Sequence, residues 1–340
     1  MACTDFMVKA TDGTIVNGRS MDFGIEDQAR LIVYPRGKQW ASEAPGNKEG
    51  LKWEQRYGFV GFSVVGLDKS IDGMNEKGLI AKLLWLPSAG YQPVPKDKES
   101  AAMEVLLLPN WILGNFSTVA EVKNALHKVF VWGKEMAALG GGIPTMHLTV
   151  HDAEGNNIVA EWIDGKLNLY DNPLGVMTND PPLPNHWANL RNFANLSSEM
   201  AKPLKLDGMT ITGTGNGSGL LGLPGDCSPP SRFVRTAYLR AFAYQAKNSS
   251  EAVNLARHLL DQVTVIKGIS REKTAQGEFA DYTQWITIED LTHRMIYISN
   301  YNDPIWRAVD LKKIDFTRGD YTPIEVAKPS GKAILDVTPR

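Results

Sequence analysis

The sequence predicts an α+β fold in which antiparallel sheets are covered by helices. Strand-like segments occur at both ends and in the middle of the chain and are mostly joined by short turns, which favours antiparallel pairing over a βαβ repeat. Amphipathic helical segments lie between them. No linker-like change in composition divides the 340 residues. We therefore expect one domain over residues 3–340, with residues 1–2 as either the remnant of a leader or added residues.

Strand segments are predicted where apolar and polar residues alternate between turn residues. The first two form a hairpin, because residues 4–9 and 14–20 flank Asp12-Gly13, a dipeptide suited to a tight two-residue turn. The remaining segments cover residues 57–65, 78–86, 146–151, 157–163, 282–288 and 294–301. The last four are predicted to form two further hairpins.

The register of the first hairpin places candidate functional residues. With a two-residue turn at Asp12-Gly13, paired residue numbers sum to 25, so Cys3 lies across from Asp22. Side chains alternate between the faces of a strand, so Arg19 is expected on the face opposite to Cys3. Arg19 then reaches the thiol only if the strand ends or bulges near residues 20–21.

Helical segments are predicted where apolar residues repeat every three or four positions. Thr118 and Glu121 form a capping box at the start of one helix. Further helices are expected over residues 233–244 and 252–263, the latter with one apolar face. Residues 207–225 are rich in glycine and threonine without periodicity and are predicted to form a long loop.

The charge balance and hydropathy argue against nucleic-acid and membrane partners. The chain has 36 Lys and Arg against 38 Asp and Glu, a formal net charge of −2, without the basic excess expected of a nucleic-acid-binding protein. The longest apolar run, residues 105–113, is interrupted by Pro109 and Asn110 and falls short of the roughly 20 residues that span a bilayer. We therefore expect neither a nucleic-acid-binding protein nor an integral membrane protein.

The sequence favours neither a metal nor an organic cofactor. Cys3 and Cys227 are too few for a disulfide framework or a structural zinc site. His147 and His151 have metal-like spacing, but they lie in a predicted strand without further ligands at suitable spacing. The glycine-rich residues 213–222 lack the Lys-Ser/Thr of a phosphate-binding loop, and no Gly-x-Ser-x-Gly occurs. Cys227 is predicted to be a structural thiol.

Cys3 is the candidate nucleophile. If residues 1–2 are removed, its thiol and its own α-amine belong to one residue. An α-amine has a pKa of roughly 7.7–8.0 and a thiol one of roughly 8.5, so the amine can accept the thiol proton near neutral pH. Ala2 is the kind of small residue that precedes a leader cleavage point. The alternative is a cysteine without function at a frayed terminus.

Several motifs together resemble the choloylglycine hydrolase/penicillin V acylase family, whose members are cysteine N-terminal nucleophile amidohydrolases. The motifs are Cys3, Gly18-Arg19-Ser20-Met21-Asp22-Phe23, Asp72-Gly73-Met74-Asn75-Glu76-Lys77-Gly78-Leu79, Met177-Thr178-Asn179-Asp180-Pro181, Ser231-Arg232-Phe233-Val234-Arg235 and Asp281-Tyr282-Thr283-Gln284-Trp285. The resemblance covers about positions 3 to 311. It implies an αββα sandwich, with two antiparallel sheets between helical layers, a homotetrameric assembly and no cofactor.

The resemblance also implies roles for individual residues. Carried over position by position, these are Cys3 as nucleophile and, through its amine, as base; Asp22 to orient the amine; Arg19 to favour the thiolate; Asn179 and the backbone N–H of Trp85 as oxyanion donors; and Arg232 to orient the nucleophile. Loss of an oxyanion donor typically lowers a rate by roughly 10²–10³-fold, so activity should depend strongly on Asn179.

Trp85 bears on the substrate. The resemblance implies Asn at this position in bile salt hydrolases of Gram-positive bacteria and Tyr in their penicillin acylase relatives. Trp is typical of a Gram-negative subgroup with penicillin V acylases and N-acyl homoserine lactone acylases, usually exported to the periplasm. Phe23 stands where acylases of that subgroup often have Trp. The residues predicted around the pocket are Met21, Phe23, Phe59, Phe62, Leu84, Trp85, Phe130, Trp132 and Met136, of which only one of Phe59 and Phe62 is expected to face it.

The sequence therefore predicts a hydrolase of linear amides that binds a small-molecule substrate with a hydrophobic acyl group. Penicillin V or N-acyl homoserine lactones are expected first, and conjugated bile salts are the alternative. The protein is expected to be periplasmic or otherwise exported, with a cytoplasmic location left open. A non-catalytic protein that binds an apolar ligand is the alternative from another class. It follows if residues 1–2 stay attached, because an acylated amine cannot act as the base.

Overall fold

Two antiparallel β-sheets stack face to face in the computed structural model and carry helices on their outer faces. The structure describes residues 2–24, 30–64, 68–274, 277–321 and 323–326. The arrangement confirms the predicted α+β class and the αββα sandwich.

Strands outnumber helices in the described part of the chain. The strands are β1 (Ala2–Lys9), β2 (Ile15–Phe23), β3 (Arg30–Tyr34), β4 (Gln39–Ala44), β5 (Lys48–Glu54), β6 (Phe59–Ser63), β7 (Ser70–Asn75), β8 (Ile80–Trp85), β9 (Ala102–Glu104), β10 (Phe130–Trp132), β11 (Met146–His151), β12 (Asn157–Ile163), β13 (Lys166–Asp171), β14 (Val176–Met177), β15 (Leu204–Leu206), β16 (Met209–Ile211), β17 (Ser270–Thr274), β18 (Gly277–Asp290), β19 (Met295–Asn300), β20 (Asp303–Asp310) and β21 (Ile324–Glu325). The α-helices are α1 (Leu108–Asn115), α2 (Val119–Leu126), α3 (Leu183–Asn189), α4 (Pro229–Phe242) and α5 (Ser249–Asp261). Short 3₁₀ helices cover Lys96–Ala101, Val105–Leu107, Ala137–Leu139, Leu190–Phe193, Ser218–Leu220 and Leu311–Lys313.

Each sheet has its own helical layer. The first sheet has the order β14-β1-β2-β18-β19-β20, with β17 paired to β18, and α4 and α5 pack on it. The second sheet has the order β13-β12-β11-β8-β7-β6-β3-β21, and α1 and α2 pack on it. A hydrophobic core that includes Phe6, Phe233 and Leu260 lies between the first sheet and its helices. A larger core includes side chains of the second sheet together with α1 and α2.

Most predicted elements are confirmed. Helix α2 begins at the predicted capping box, where the Thr118 hydroxyl accepts from the Glu121 N–H at 3.2 Å and the Glu121 carboxylate accepts in return from the Thr118 N–H. Part of the loop predicted over 207–225 instead belongs to a small hairpin, β15–β16. Its turn is Asp207-Gly208, with φ of +46° and +84°, a two-residue turn of the kind that favours this dipeptide. No helix among the described elements is long and apolar enough to span a bilayer.

The turn of the amino-terminal hairpin differs from the prediction. The Ala10 N–H donates to the Thr14 carbonyl at 2.9 Å, so the loop has three residues, 11–13, instead of two. Gly13 closes it with φ of +91°, in the left-handed region. A three-residue loop that ends on a left-handed glycine is a common hairpin connection, and it changes the pairing of both strands by one residue.

The changed register reverses the faces predicted for two candidate residues. Paired numbers sum to 24, so Cys3 lies opposite Met21 and not opposite Asp22. A one-residue shift moves side chains to the other face of a strand. Arg19 therefore shares the face of Cys3, and Asp22 lies on the other face, so both placements predicted from the sequence were wrong. The face with Cys3 looks toward the second sheet, and we call it the inner face; the face toward α4 is the outer face.

Candidate active site

Cys3 lies near the start of β1, with its side chain on the inner face of the hairpin, and is 3% exposed. Its Sγ is 3.8 Å from Sδ of Met21, its cross-strand neighbour. Its backbone N–H donates to Oδ1 of Asn179 at 2.6 Å. The nitrogen that would become the α-amine therefore already has a defined acceptor.

Arg19 occupies the inner face beside Cys3. Its Nη1 forms an ion pair with Asp72 at 2.8 Å across to the second sheet, and its Nη2 donates to the Leu83 carbonyl at 2.8 Å. Burial opposes the charged form of Arg19, but the attraction of Asp72, with a further contribution from Cys3 next to it, outweighs burial, so the pKa of the guanidinium is raised. Arg19 thus reaches the thiol without any bulge at residues 20–21.

Arg232, near the start of α4, occupies the outer face. Its Nη1 donates to the Cys3 carbonyl at 2.5 Å and to the Thr4 hydroxyl at 2.7 Å. Its Nη2 donates to Oδ1 of Asn179 at 2.9 Å, and its Nε to the Cys227 carbonyl at 2.9 Å. Burial lowers the pKa of this guanidinium, because its hydrogen-bond partners carry no full charge.

Asp22 also lies on the outer face. Its Oδ1 accepts from the Thr283 hydroxyl at 2.5 Å and its Oδ2 from the Ser20 hydroxyl at 3.1 Å. Burial raises the pKa of this carboxyl to about 6, against the opposing pull of Arg232 and the two hydroxyls. Asp22 is therefore a buried carboxyl within electrostatic reach of Arg232.

Asn179 connects Cys3 to β8. Its Oδ1 accepts from Cys3 and Arg232, and its Nδ2 donates to the Trp85 carbonyl at 2.9 Å. The Leu86 N–H donates to the Thr145 carbonyl at 3.0 Å. Because bonded and non-bonded pairs alternate along an antiparallel ladder, the N–H and C=O of Trp85 both point away from β11, toward Asn179. The two predicted oxyanion donors thus lie on the same side of β8.

The residues predicted around the pocket fall into two groups. Met21 and Phe23 are 8% and 9% exposed, and half-buried side chains are found at Trp85, Phe130, Trp132 and Met136. Phe59, Phe62 and Leu84 are 0% exposed and belong to the larger core, with Phe59 stacked on Tyr34 at 4.5 Å. The prediction that one of Phe59 and Phe62 faces the pocket stays a prediction, since both side chains belong to the core that also contains Cys3 and Met21.

Asp72 and Lys82 are neighbours of the site to which the sequence analysis gave no role. Asp72 belongs to a motif quoted for the resemblance, and it holds Arg19. Lys82 is 0% exposed and its Nζ lies 2.8 Å from Glu289 Oε2. The available signal was a lysine inside the apolar strand 80–85, where a charge must find a buried partner. No group of three or more metal-ligating side chains is found among the described residues.

The fold and these contacts define an amidohydrolase of the N-terminal nucleophile class, with two antiparallel sheets between helices and a cysteine at the start of a central strand. Residues 3–324 match the model of the linear amide C–N hydrolases, choloylglycine hydrolase family. The chain belongs to this family.

The relatives to which the chain is similar include bile salt hydrolases and a penicillin V acylase. The chain is 32% identical over 320 residues to a bile salt hydrolase/transferase of Clostridium perfringens, with 92% of this chain and 93% of the relative covered. A crystal structure of a variant of the conjugated bile acid hydrolase from that organism is similar at a TM-score of 0.83 and 30% identity, covering 99% of this chain and all of the other. A penicillin V acylase of Pectobacterium atrosepticum is 27% identical over 336 residues, with 93% of this chain and 82% of the relative covered.

Proposed function

We propose that this chain hydrolyses the amide bond of conjugated bile salts, which joins a steroid acid to glycine or taurine. The observation that carries the proposal is the similarity to a bile salt hydrolase/transferase at 32% identity over nearly the whole of both chains. The penicillin V acylase is less similar, at 27% identity, and a smaller share of it is covered. The order of substrates expected from the sequence is thereby reversed.

The first step is attack by Cys3 on the amide carbonyl. The thiol proton moves to the α-amine of Cys3, the S–C bond forms, and the carbonyl oxygen becomes an oxyanion. Asn179 Nδ2 has two hydrogens, of which one is donated to the Trp85 carbonyl. The other hydrogen and the Trp85 N–H are the donors for the oxyanion.

The second step releases the amine and restores the thiol. The ammonium of Cys3 gives its proton to the leaving nitrogen as the C–N bond breaks, and a thioester remains. Water adds to the thioester carbonyl with the Cys3 amine as base, the S–C bond breaks, and the thiol is regenerated. Arg232 holds the Cys3 carbonyl and Asn179 in place during both steps, because its guanidinium contacts both.

This mechanism requires the removal of residues 1–2. While Ala2 is attached, the Cys3 nitrogen is a peptide nitrogen that donates its N–H to Asn179. Its lone pair is delocalised into the peptide bond and cannot accept the thiol proton. Removal of Met1 alone leaves Ala2 on this nitrogen. We expect active protein to begin at Cys3, and an intact-mass measurement beside a turnover assay checks it. Full activity with Ala2 still attached would contradict the proposed base.

A second candidate is the hydrolysis of penicillin V or of N-acyl homoserine lactones. It is favoured by Trp85, the Gram-negative subgroup residue, and by half-buried Phe130 and Trp132 on β10, whose aromatic surface suits an aryl or fatty acyl chain. Export to the periplasm is expected if this second candidate is correct, and it stays a prediction.

A homotetramer also stays a prediction, and β15–β16 supports it. This hairpin exposes Leu204, Leu206, Met209 and Ile211 by 59%, 54%, 69% and 46%, which is a surface suited to burial against another copy. Light scattering on the full chain tests the assembly.

The substrate test compares glycocholate, taurocholate, penicillin V and dodecanoyl homoserine lactone at equal concentrations, with Cys3→Ala as the inactive control. We expect glycocholate to exceed penicillin V in kcat/KM by about tenfold or more, a difference of roughly 1.4 kcal/mol. Penicillin V or the lactone ahead by the same factor would support the second candidate. No turnover by protein that begins at Cys3 would support a binding protein.

Trp85→Asn sharpens this test. A compact polar side chain in place of a bulky one beside the scissile bond should raise the ratio of glycocholate to penicillin V turnover. The matched control is Trp306→Phe, a half-buried tryptophan on β20 at the edge of the first sheet, which should leave the ratio unchanged. An unchanged ratio in Trp85→Asn would remove Trp85 from the determinants of specificity.

A further inference from the structure

Three buried side chains that can carry a proton lie behind Asn179, and the mechanism above does not use them. They are His147 on β11, Glu161 on β12 and His186 on α3, each 0% exposed. Burying groups of this kind is costly unless each of them makes defined hydrogen bonds. Their partners therefore indicate what they do.

His147 binds the backbone carbonyl of the residue before Asn179. Its Nε2 is 3.0 Å from the Thr178 carbonyl, and its Nδ1 is 3.2 Å from Oε1 of Glu161. A carbonyl oxygen only accepts, so Nε2 must carry a hydrogen and donate it. A hydrogen bond between Nδ1 and Glu161 needs one proton on either of the two atoms, and the bond to Thr178 is the same in both cases.

Glu161 binds the backbone at the other end of residues 178–183. Its two oxygens accept from the Leu183 N–H at 3.0 and 3.2 Å, at the first residue of α3. The His147–Glu161 pair therefore fixes both ends of residues 178–183 against the second sheet.

His186 holds the carbonyl of Asn179 itself. Its Nε2 is 2.9 Å from that carbonyl, and its Nδ1 has no hydrogen-bond partner in the part of the chain that the structure describes. Burial lowers the pKa of His186 to about 4, so the ring is neutral near pH 7 and carries its hydrogen on Nε2. The ring also stacks on Phe233 of α4 at 4.6 Å, next to Arg232.

We propose that His147, Glu161 and His186 are positioning residues that aim the Asn179 side chain. Hydrogen bonds to the carbonyls of two consecutive residues fix the Asn179 backbone on both sides. A fixed backbone directs Nδ2 toward Trp85 and Oδ1 toward Cys3. Oxyanion stabilisation depends on donors held in place before the reaction, so loosening this backbone lowers the rate of the acyl step. The inference rests on the proposed function, because it assumes that Asn179 serves the oxyanion.

The test uses His186→Phe and Glu161→Ala, assayed on the full chain after maturation with glycocholate and penicillin V. Phe keeps the stacking on Phe233 but removes the donor to Asn179. We expect kcat to fall about tenfold or more in both variants, with KM within about twofold, because misplacing a reacting group lowers the chemical step. His258→Ala, at a residue whose side chain is 57% exposed on α5, is the surface control and should leave kcat unchanged.

Glu161→Gln supplies the conservative comparison. A glutamine can accept from Leu183 and donate to Nδ1 of a neutral His147, whose Nε2 still donates to Thr178. We expect its kcat within about threefold of the wild type. A loss as large as that of Glu161→Ala would overturn the positioning role, because the charge and not the hydrogen bonds would then matter.

Alkylation of Cys3 by iodoacetamide separates positioning from general damage. This displacement at a saturated carbon forms no oxyanion, so its rate should stay within about twofold in His186→Phe while turnover falls. An equal fall of alkylation and turnover, or unchanged turnover with only a lower Tm, would overturn the proposal.

A measurement without substrate covers the case in which the proposed function fails. The side-chain amide signals of Asn179, assigned in ¹⁵N-labelled protein by their loss in Asn179→Asp, should be single in the wild type and broadened or doubled in His186→Phe. Unchanged signals would overturn the positioning role whatever the substrate. Asn179→Ala with normal turnover would instead contradict the proposed function.

Discussion

The inner and outer faces of the β1–β2 hairpin each place one fully buried arginine next to Cys3, but with partners of opposite kind. Arg19 on the inner face forms an ion pair with Asp72 at 2.8 Å. Arg232 on the outer face donates to two carbonyls, a hydroxyl and an amide, and forms no ion pair with the described residues. Accordingly the pKa of Arg19 is raised and that of Arg232 is lowered.

The two arginines therefore have different roles around the nucleophile Cys3. The positive charge of Arg19 is compensated by Asp72, which also lies near Lys82. Lys82 pairs in turn with Glu289, so these charges connect the two sheets. Glu289 itself has a pKa raised to about 7, because burial outweighs the attraction of Lys82. Arg232 is held by directional hydrogen bonds to Cys3 and Asn179. The inner face therefore supplies charge and stability, and the outer face supplies geometry.

The largest expected effect is on stability, at Asp72. Asp72→Asn leaves Arg19 buried without a countercharge, and breaking a buried ion pair in this way costs about 3–5 kcal/mol. We expect this fall in the free energy of unfolding at pH 7 by urea denaturation. Asp68→Asn is the matched control: its side chain is 71% exposed and pairs with Lys38 at 3.1 Å, so its loss should stay within about 1 kcal/mol. Equal losses would show that the inner ion pair adds no special stability.

Arg232→Lys should give the largest loss of activity among the arginine variants. A lysine ammonium cannot span the four acceptors that the guanidinium fork reaches, so Cys3 and Asn179 lose their common support. We expect kcat/KM to fall about 10²-fold, as for a misplaced reacting group. Arg257→Lys on the exposed face of α5 is the control. A fall of less than about threefold in Arg232→Lys would contradict the geometric role of the outer face.

Asp22 gives the outer face a dependence on pH. Its pKa is raised from 3.8 to about 6 by burial, so between these values the folded state binds a proton that the unfolded state has released. The free energy of unfolding of the wild type therefore falls as pH rises across this window. Asp22→Asn does not titrate, so its stability relative to the wild type should rise by about 2 kcal/mol from pH 4 to pH 6 and level off by pH 7.

Urea denaturation at pH 4, 5, 6 and 7 checks this prediction. Asp320→Asn, at a side chain that is 69% exposed and paired with Arg318, is the control and should show no such rise. A difference between Asp22→Asn and the wild type that does not vary with pH would contradict the raised pKa.

Arg19→Lys should have the smallest effect. Lysine can keep the ion pair with Asp72 but loses the bond to the Leu83 carbonyl. We expect a fall in kcat/KM of about tenfold, roughly 1.4 kcal/mol. The kcat/KM of Arg19→Lys and of Arg232→Lys should be measured with the same substrate, because the order of the two values tests the comparison. Arg19→Lys below Arg232→Lys in activity would reverse the tasks given to the two faces.

Local sequence signals predicted the elements well where the interactions are short in range. The capping box of Thr118 and Glu121 fixed the start of α2, and alternation fixed β11 and β12 at their observed bounds. The dipeptide Asp-Gly led to a wrong loop length at residues 12–13 and was not recognised as a turn at residues 207–208. Asp-Gly closes a three-residue loop at 12–13 and a two-residue turn at 207–208. Both loops are compatible with the dipeptide, so the strands that pair on either side decide between them.

The sequence by itself determined the class of chemistry, because Cys3 and the ordered motifs are local patterns that need no packing to be recognised. The tertiary structure decided which groups meet. A change of one residue in register exchanged the faces of Arg19 and Asp22, and packing of the second sheet brought Asp72 to Arg19. It also placed two histidines and a glutamate behind Asn179. Contacts between residues distant in the chain depend on the packing of whole sheets and helices, which no short window of sequence contains.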